Sequence, residues 1–207
     1  ATGAVYLFLG GYAGIINFND INSRNLMVSV DLSSGDSADL VIYGEEDGDR
    51  FGADLAMLGD VRARSMADPA RDFAIGAPGA GNGKVYIFYG GISGNLRLDQ
   101  LTGPNSAEAS AGDLIIEGEP GERIGERVRG KADLNQDGHK DIAFIVDSTK
   151  LRVYYLVPGE ALTNLRFMDF DFSQAITNFR LISDFDQDNQ AEILVGLSGS
   201  GQGYLLK

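Results

Sequence analysis

Apolar residues fall along this chain in short runs. "KVYIFY" from Lys84, "LRVYYLV" from Leu151 and "DIAFIV" from Asp141 are dense in β-branched and aromatic residues and are flanked by Gly, Asn, Asp or Pro. Runs of that length, composition and punctuation predict strands. In "VYIFY" the Tyr and Phe residues alternate as a sheet packed on its neighbours requires, so they read as core and not as a platform for sugar rings. No window carries the spacing of a long amphipathic helix. The stretch from Tyr12 to Ser37, including "INFNDINSRNLMVSVDLSSGDS", mixes one strand-like run with turn formers. It reads as a long excursion between strands, with room for one helical turn.

The strand runs repeat. "DLVIYGEEDGDRFGADL" from Asp39 aligns with "DLIIEGEPGERIGERV" from Asp113 after one deletion. "GKVYIFYGG" from Gly83 matches "GAVYLFLGG" from Gly3, more loosely "LRVYYLVPG" from Leu151, and finally the terminal "GQGYLLK". A long period decides architecture before any single motif does, and this one suits a unit of four short strands with variable connections.

An acidic loop repeats with the strands. "DLNQDGHKD" from Asp133 is echoed by "DFDQDNQAE" from Asp184. Side chains at alternate positions of a tight loop can converge on one point, and Ca²⁺ is a hard cation that takes about 6–8 oxygens there. Asp133, Asn135, Asp137 and Asp141 would supply side chains in the first copy, and His139 a backbone carbonyl. Asp184, Asp186, Asp188 and Glu192 would do so in the second, with the Gln190 carbonyl. Gly138 permits the left-handed turn that closes the loop, and Asn189, in the same place, is the non-glycine residue that best tolerates it. Asp and Asn also cap turns without any metal, but the clustered carboxylates repel one another without a counter-ion, and two aligned copies favour two calcium sites over polar turns. Mg²⁺ suits the loops less, since it demands a stricter octahedron. Neither loop is an EF-hand: the twelfth positions are Phe144 and Val195, and strand-like residues follow. The corresponding loop "GDVRARSMADPARD" keeps Asp60, Asp68 and Asp72 but inserts Arg62, Arg64 and Arg71, so it is expected to be ion-paired and not a third metal site.

Composition narrows the function. The 207 residues are 43% hydrophobic, enough for a real core, and carry a net charge of −13. Nucleic acid would be repelled, since no run of Lys and Arg offsets that field. There is no run of 18 apolar residues to span a bilayer as a helix, so no membrane insertion is expected. The absence of Cys excludes disulfides and thiolate metal sites. With one His, no G-x-S-x-G and no P-loop, and with the clustered carboxylates claimed by the metal loops, catalysis has little support. The chain is read as no enzyme, with no catalytic residue. His139 is expected to turn its ring to solvent.

"DRFGADLAMLGD" followed by "DFAIGAPGAGNGKVYIFYGG" resembles an FG-GAP repeat, the blade unit of the integrin α-subunit β-propeller and of many secreted bacterial proteins. Phe51-Gly52 and Gly76-Ala77-Pro78 match both halves of the signature; the later units have Ile124-Gly125 with "IVDS", then Ala175-Ile176. The resemblance implies an all-β fold of four-stranded antiparallel β-propeller blades. Each would have an inner strand, through Phe51 in the best copy, then an acidic loop, a second strand ending at Gly-Ala-Pro, a third at "VYIFY" and an outer strand such as "DLIIEG". Related blades bind Ca²⁺ in hairpin loops of this form. The chain divides on this basis into one domain, 1–207, made of a partial blade plus insertion (1–47), two blades (48–120 and 121–172) and a partial blade (173–207). That is too few strands for the closed ring of about seven blades that the resemblance implies. An incomplete arc is expected, part of a larger propeller or completed at Ala4–Leu9 and Gly203–Lys207 by neighbouring subunits; a compact four-bladed ring is the alternative.

The functional expectation is a calcium-stabilised extracellular module, secreted or at the cell surface where Ca²⁺ is millimolar, serving protein binding, adhesion or surface assembly. Its partners would be a protein ligand or neighbouring subunits. The alternatives are a carbohydrate-binding propeller, a structural subunit of a surface filament, or the non-catalytic part of a secreted enzyme.

Overall fold

A computed structural model describes residues 3–8, 38–61, 71–92, 94–98, 114–157, 165–199 and 203–206. The whole Tyr12–Ser37 excursion and the Arg62, Arg64 and Asp68 part of the basic loop lie outside the described residues. Among those described there is no α-helix and there are fourteen strands, all short.

The strands form four sheets. The first joins β1 (Ala4–Leu7), β2 (Leu40–Tyr43) and β6 (Gly94–Arg97). The second runs in the order β3 (Leu55–Gly59), β4 (Asp72–Ala77), β5 (Lys84–Phe88), β7 (Leu114–Glu117). The third runs β8 (Val128–Ala132), β9 (Asp141–Ile145), β10 (Lys150–Tyr155), β11 (Arg166–Asp171). The fourth holds β12 (Ile176–Ile182), β13 (Glu192–Leu197) and β14 (Gly203–Leu206). The two middle sheets are the antiparallel, four-stranded units that the repeat implied, and the fold is all-β with propeller-type sheets. β6 departs from the expectation: it lies within 48–120 yet pairs in parallel with β2 of the first sheet, Leu40 opposite Gly94.

The sheets stack face to face in sequence order, with one core between each successive pair. Leu40, Ile42 and Leu96 meet Ile75, Tyr86 and Phe88 between the first and second. Leu58, Val85 and Ile87 meet Val128, Ile142 and Phe144 between the second and third. Ala143, Leu151 and Val153 meet Phe179, Ile193 and Val195 between the third and fourth. A strand covered on both faces needs apolar residues at every position, so Val85, Tyr86, Ile87 and Phe88 are all buried. β13 is covered on one face, and there the pattern alternates: Ile193 and Val195 are buried while Leu194 is 46% exposed. No strand pairing joins the fourth sheet to the first among the described residues.

One element of the repeat sits differently from its expected place. Phe51 does not lie in the inner strand; it is in the turn before β3, 4% exposed, and plugs the core between the first and second sheets edge-on against Tyr86. Ile124 does the same between the second and third sheets, forming an isolated bridge with Gly83. Ile176, in the third copy, donates its N–H to the Ser148 carbonyl at 2.6 Å and joins the core between third and fourth sheets.

Candidate metal loops

Both acidic loops connect the first and second strands of a sheet, β8 to β9 and β12 to β13, and they fold alike. Gly138 and Asn189 have φ of 87° and 69°, the left-handed turn that their residue types favour. Gln136 and Gln187, two positions earlier, also have positive φ, 62° and 65°. That second bend was not legible in the sequence, because Gln carries no preference for it.

In the second loop the carboxylates of Asp184, Asp186, Asp188 and Glu192 each bring one oxygen within 4.8 Å of the others, and the three aspartates are exposed. Such a group could hold a metal ion. Glu192 lies at the head of β13 and is fully buried; its Oε2 accepts the Phe185 N–H at 2.8 Å, while its Oε1 has no partner. A buried carboxylate oxygen without a donor is costly unless a cation satisfies it. The Gln190 N–H donates to Asp188 Oδ1 at 2.9 Å, which closes the loop behind the acidic cluster.

The first loop is braced from within. Gly138 N–H donates to Asp133 Oδ2 (2.9 Å), Asp137 N–H to Asn135 Oδ1 (3.1 Å) and His139 N–H to Asp137 Oδ1 (2.8 Å). Asn135 Nδ2 donates to Asp137 Oδ2 at 2.9 Å. Asp133 Oδ1 is buried without a partner. Asp141 is fully buried and accepts the Leu134 N–H at 2.7 Å and the Leu156 N–H at 3.2 Å, so it ties the loop and the end of β10 to the head of β9. Burial pushes its carboxyl up to about 7 against the pull of those two amides, and the charges of Asp137 and Asp133 add to the rise. The three carboxylates of this loop do not converge as the four of the second loop do.

Asp72, which the sequence showed to be retained in the corresponding loop, heads β4 in the same manner. It is buried, with Val61 N–H on Oδ2 at 2.7 Å and Gly90 N–H on Oδ1 at 2.8 Å. Asp72, Asp141 and Glu192 are thus one device used three times, an acceptor that pins the loop to the strand after it.

The two acidic loops touch. Gln190 Nε2 donates to the Leu134 carbonyl at 2.8 Å, Gln136 Nε2 reaches Gln190 Oε1 at 3.4 Å, and Ala191 N–H reaches the Asp133 carbonyl at 3.3 Å. They border a common cleft of about 400 Å³ lined by Asp133, Lys140, Asp184, Asn189 and Gln190 among others. Phe167, 53% exposed, lies against Tyr154 and under the Arg152 guanidinium, which is itself held by Asp169 and Glu122.

No protein-family model matches the chain. It is 35% identical to human integrin alpha-X over 109 residues, 51% of this chain and 8% of that protein. It is 39% identical to mouse integrin alpha-M over 97 residues, 45% of this chain and 7% of that protein. The chain therefore spans only a small part of the length of these relatives. They support an integrin α-like FG-GAP propeller relationship, and they give the carbohydrate alternative no support.

Proposed function

We propose that this chain is a calcium-stabilised FG-GAP propeller segment that works outside the cell by binding protein. The observation that carries the calcium reading is the second loop, where four carboxylates meet around a buried Glu192 oxygen that has no partner. Asp184, Asp186, Asp188 and Glu192, with the Gln190 carbonyl, would hold one ion. Asp133, Asn135, Asp137 and Asp141, with the His139 carbonyl, would hold a second by closing around it, a reading that the buried, unpartnered Asp133 Oδ1 supports. Bound Ca²⁺ would supply positive charge and oxygen coordination, locking each hairpin.

The protein-binding part rests on kinship and on what the chain lacks. Its relatives are integrin subunits by name. An adhesion-type role, with a protein ligand or a neighbouring subunit as partner, fits a stack of rigid sheets whose loops gather at their ends. One His and no Cys leave few groups for catalysis. Open loops of this kind fill where Ca²⁺ is millimolar, which favours an extracellular setting. On this reading the repeat units would run 48–120 and 121–172, with part units on either side, and β6 of the first full unit would lend a strand to the sheet before it.

Isothermal titration of EDTA-stripped protein tests the metal reading. Two ions should bind, with Mg²⁺ weaker than Ca²⁺. Absence of any calcium heat at millimolar concentration would discard it.

A further inference from the structure

We propose that the two acidic loops bind their ions as one coupled unit, and that Gln190 carries the coupling. The inference deepens the calcium reading above and rests on it. Gln190 belongs to the second loop, where its carbonyl is an expected donor and its N–H is held by Asp188 Oδ1. Its side chain belongs to the first loop: Nε2 donates to the Leu134 carbonyl at 2.8 Å, and Oε1 faces Gln136 Nε2 at 3.4 Å. Leu134 stands between Asp133 and Asn135, two expected donors of the first ion, and its N–H is pinned by Asp141 Oδ2 at 2.7 Å. Ala191 N–H on the Asp133 carbonyl, 3.3 Å, adds a second strut. Neither Leu134 nor Gln190 can turn its peptide without disturbing the other loop.

Two effects oppose one another. An ion in either loop orders peptides that the other loop also needs ordered, so the second ion meets part of that entropy already lost and binds more tightly. The first ion also weakens the negative field that attracts the second. That repulsion acts across a cleft bordered by solvent and is screened over about 8 Å at physiological ionic strength, whereas the hydrogen-bonded struts are short and indifferent to salt. Ordering wins at physiological salt, and the coupling is positive. By linkage each ion must raise the affinity for the other by the same factor, expected at roughly fivefold or more.

The test is calcium titration calorimetry on the full chain at physiological and at low salt. Asp137→Ala disables the first loop; Asp186→Ala disables the second and spares the Asp188–Gln190 bond. Each variant should bind one ion, with the surviving site weaker than in the parent by roughly fivefold or more, equally in both directions, and with a smaller factor at low salt. In Gln190→Ala, which keeps the backbone carbonyl, two ions should still bind but independently. Gln190→Met, of similar length without the donor, repeats that arm if the alanine variant does not fold by circular dichroism. Surviving sites as tight as in the parent would overturn the coupling and leave calcium binding standing. Coupling that persists in both Gln190 variants would remove Gln190 as its carrier. A parent chain that binds no calcium would remove the calcium reading instead.

Discussion

Asp72, Asp141 and Glu192 each open the second strand of a sheet, and each spends a buried carboxylate oxygen on the N–H two residues into the preceding loop or nearby: Val61, Leu134 and Phe185 respectively. The other oxygen differs. Asp72 and Asp141 give it to a second amide, Gly90 or Leu156, while on Glu192 it is left without a partner. Asp72 sits in a loop without the metal spacing, so the clamp is the role expected of it. Asp72→Ala strands two amide donors and should lower unfolding free energy by about 3 kcal/mol, equally in calcium and in EDTA. Glu192→Ala should be costly mainly when calcium is present, because it removes an ion ligand along with one acceptor. Urea unfolding of both variants in the two buffers makes the comparison, and an identical loss for Glu192→Ala in calcium and EDTA would reduce that residue to a clamp as well.

At the scale of elements, the paired signature halves form a lock between consecutive sheets. A side chain at Gly83 would collide with the Ile124 backbone, and one at Gly3 with the backbone of Phe51. Gly76, in the Gly-Ala-Pro turn, meets the Gly125 backbone in the same way. The glycines let the turn before one sheet lie directly on the preceding sheet, and the apolar plug, Phe51 or Ile124, then fills the core between them. Gly83 also has a φ of 88°, so Gly83→Ala combines a backbone clash with a disfavoured conformation. It should cost about 3 kcal/mol or more. Phe51→Ala, which empties the other plug, should cost about 3–5 kcal/mol. Chemical denaturation measures both; a loss under about 1 kcal/mol for Gly83→Ala would mean the lock is loose.

For the whole molecule, charge and edges set behaviour. Each bound Ca²⁺ would offset two of the thirteen net negative charges and tie a loop to its strands. At calcium a hundredfold above Kd a site contributes about 2.7 kcal/mol, which raises Tm by about 5–10 °C for a chain of this size. Differential scanning calorimetry with calcium and then EDTA should show that rise and its reversal. The fourth sheet turns Leu194 and Leu205, 46% and 42% exposed, outward as a cross-strand pair. The matching pair one sheet earlier, Ala143 opposite Val153, is buried against its neighbour. The isolated chain should therefore self-associate, and Leu194→Lys with Leu205→Lys should reduce its light scattering without lowering Tm. Unchanged scattering would mean that this face is not the sticky one.

Short β-branched runs, the recurring "VYIFY"-type strand and the twice-written acidic loop were enough, in the sequence alone, to establish an all-β repeat with sheets of four strands, because strand propensity and turn chemistry are local and a repeat multiplies the signal. The left-handed turns at Gly138 and Asn189 were legible for the same reason. Phe51 was misplaced in a strand since a buried aromatic looks the same in one dimension whether it continues a sheet or plugs the gap between two. The parallel partnership of β6 with β2 joins segments far apart in the chain, and no local pattern encodes it. The meeting of the four carboxylates of the second loop was legible in their alternate spacing. Only the tertiary structure turned both Asp141 oxygens toward backbone amides, one of them at the far end of β10, and set Gln190 on the neighbouring loop, since the first contact depends on how the strands of a sheet pair and the second on how adjacent sheets pack.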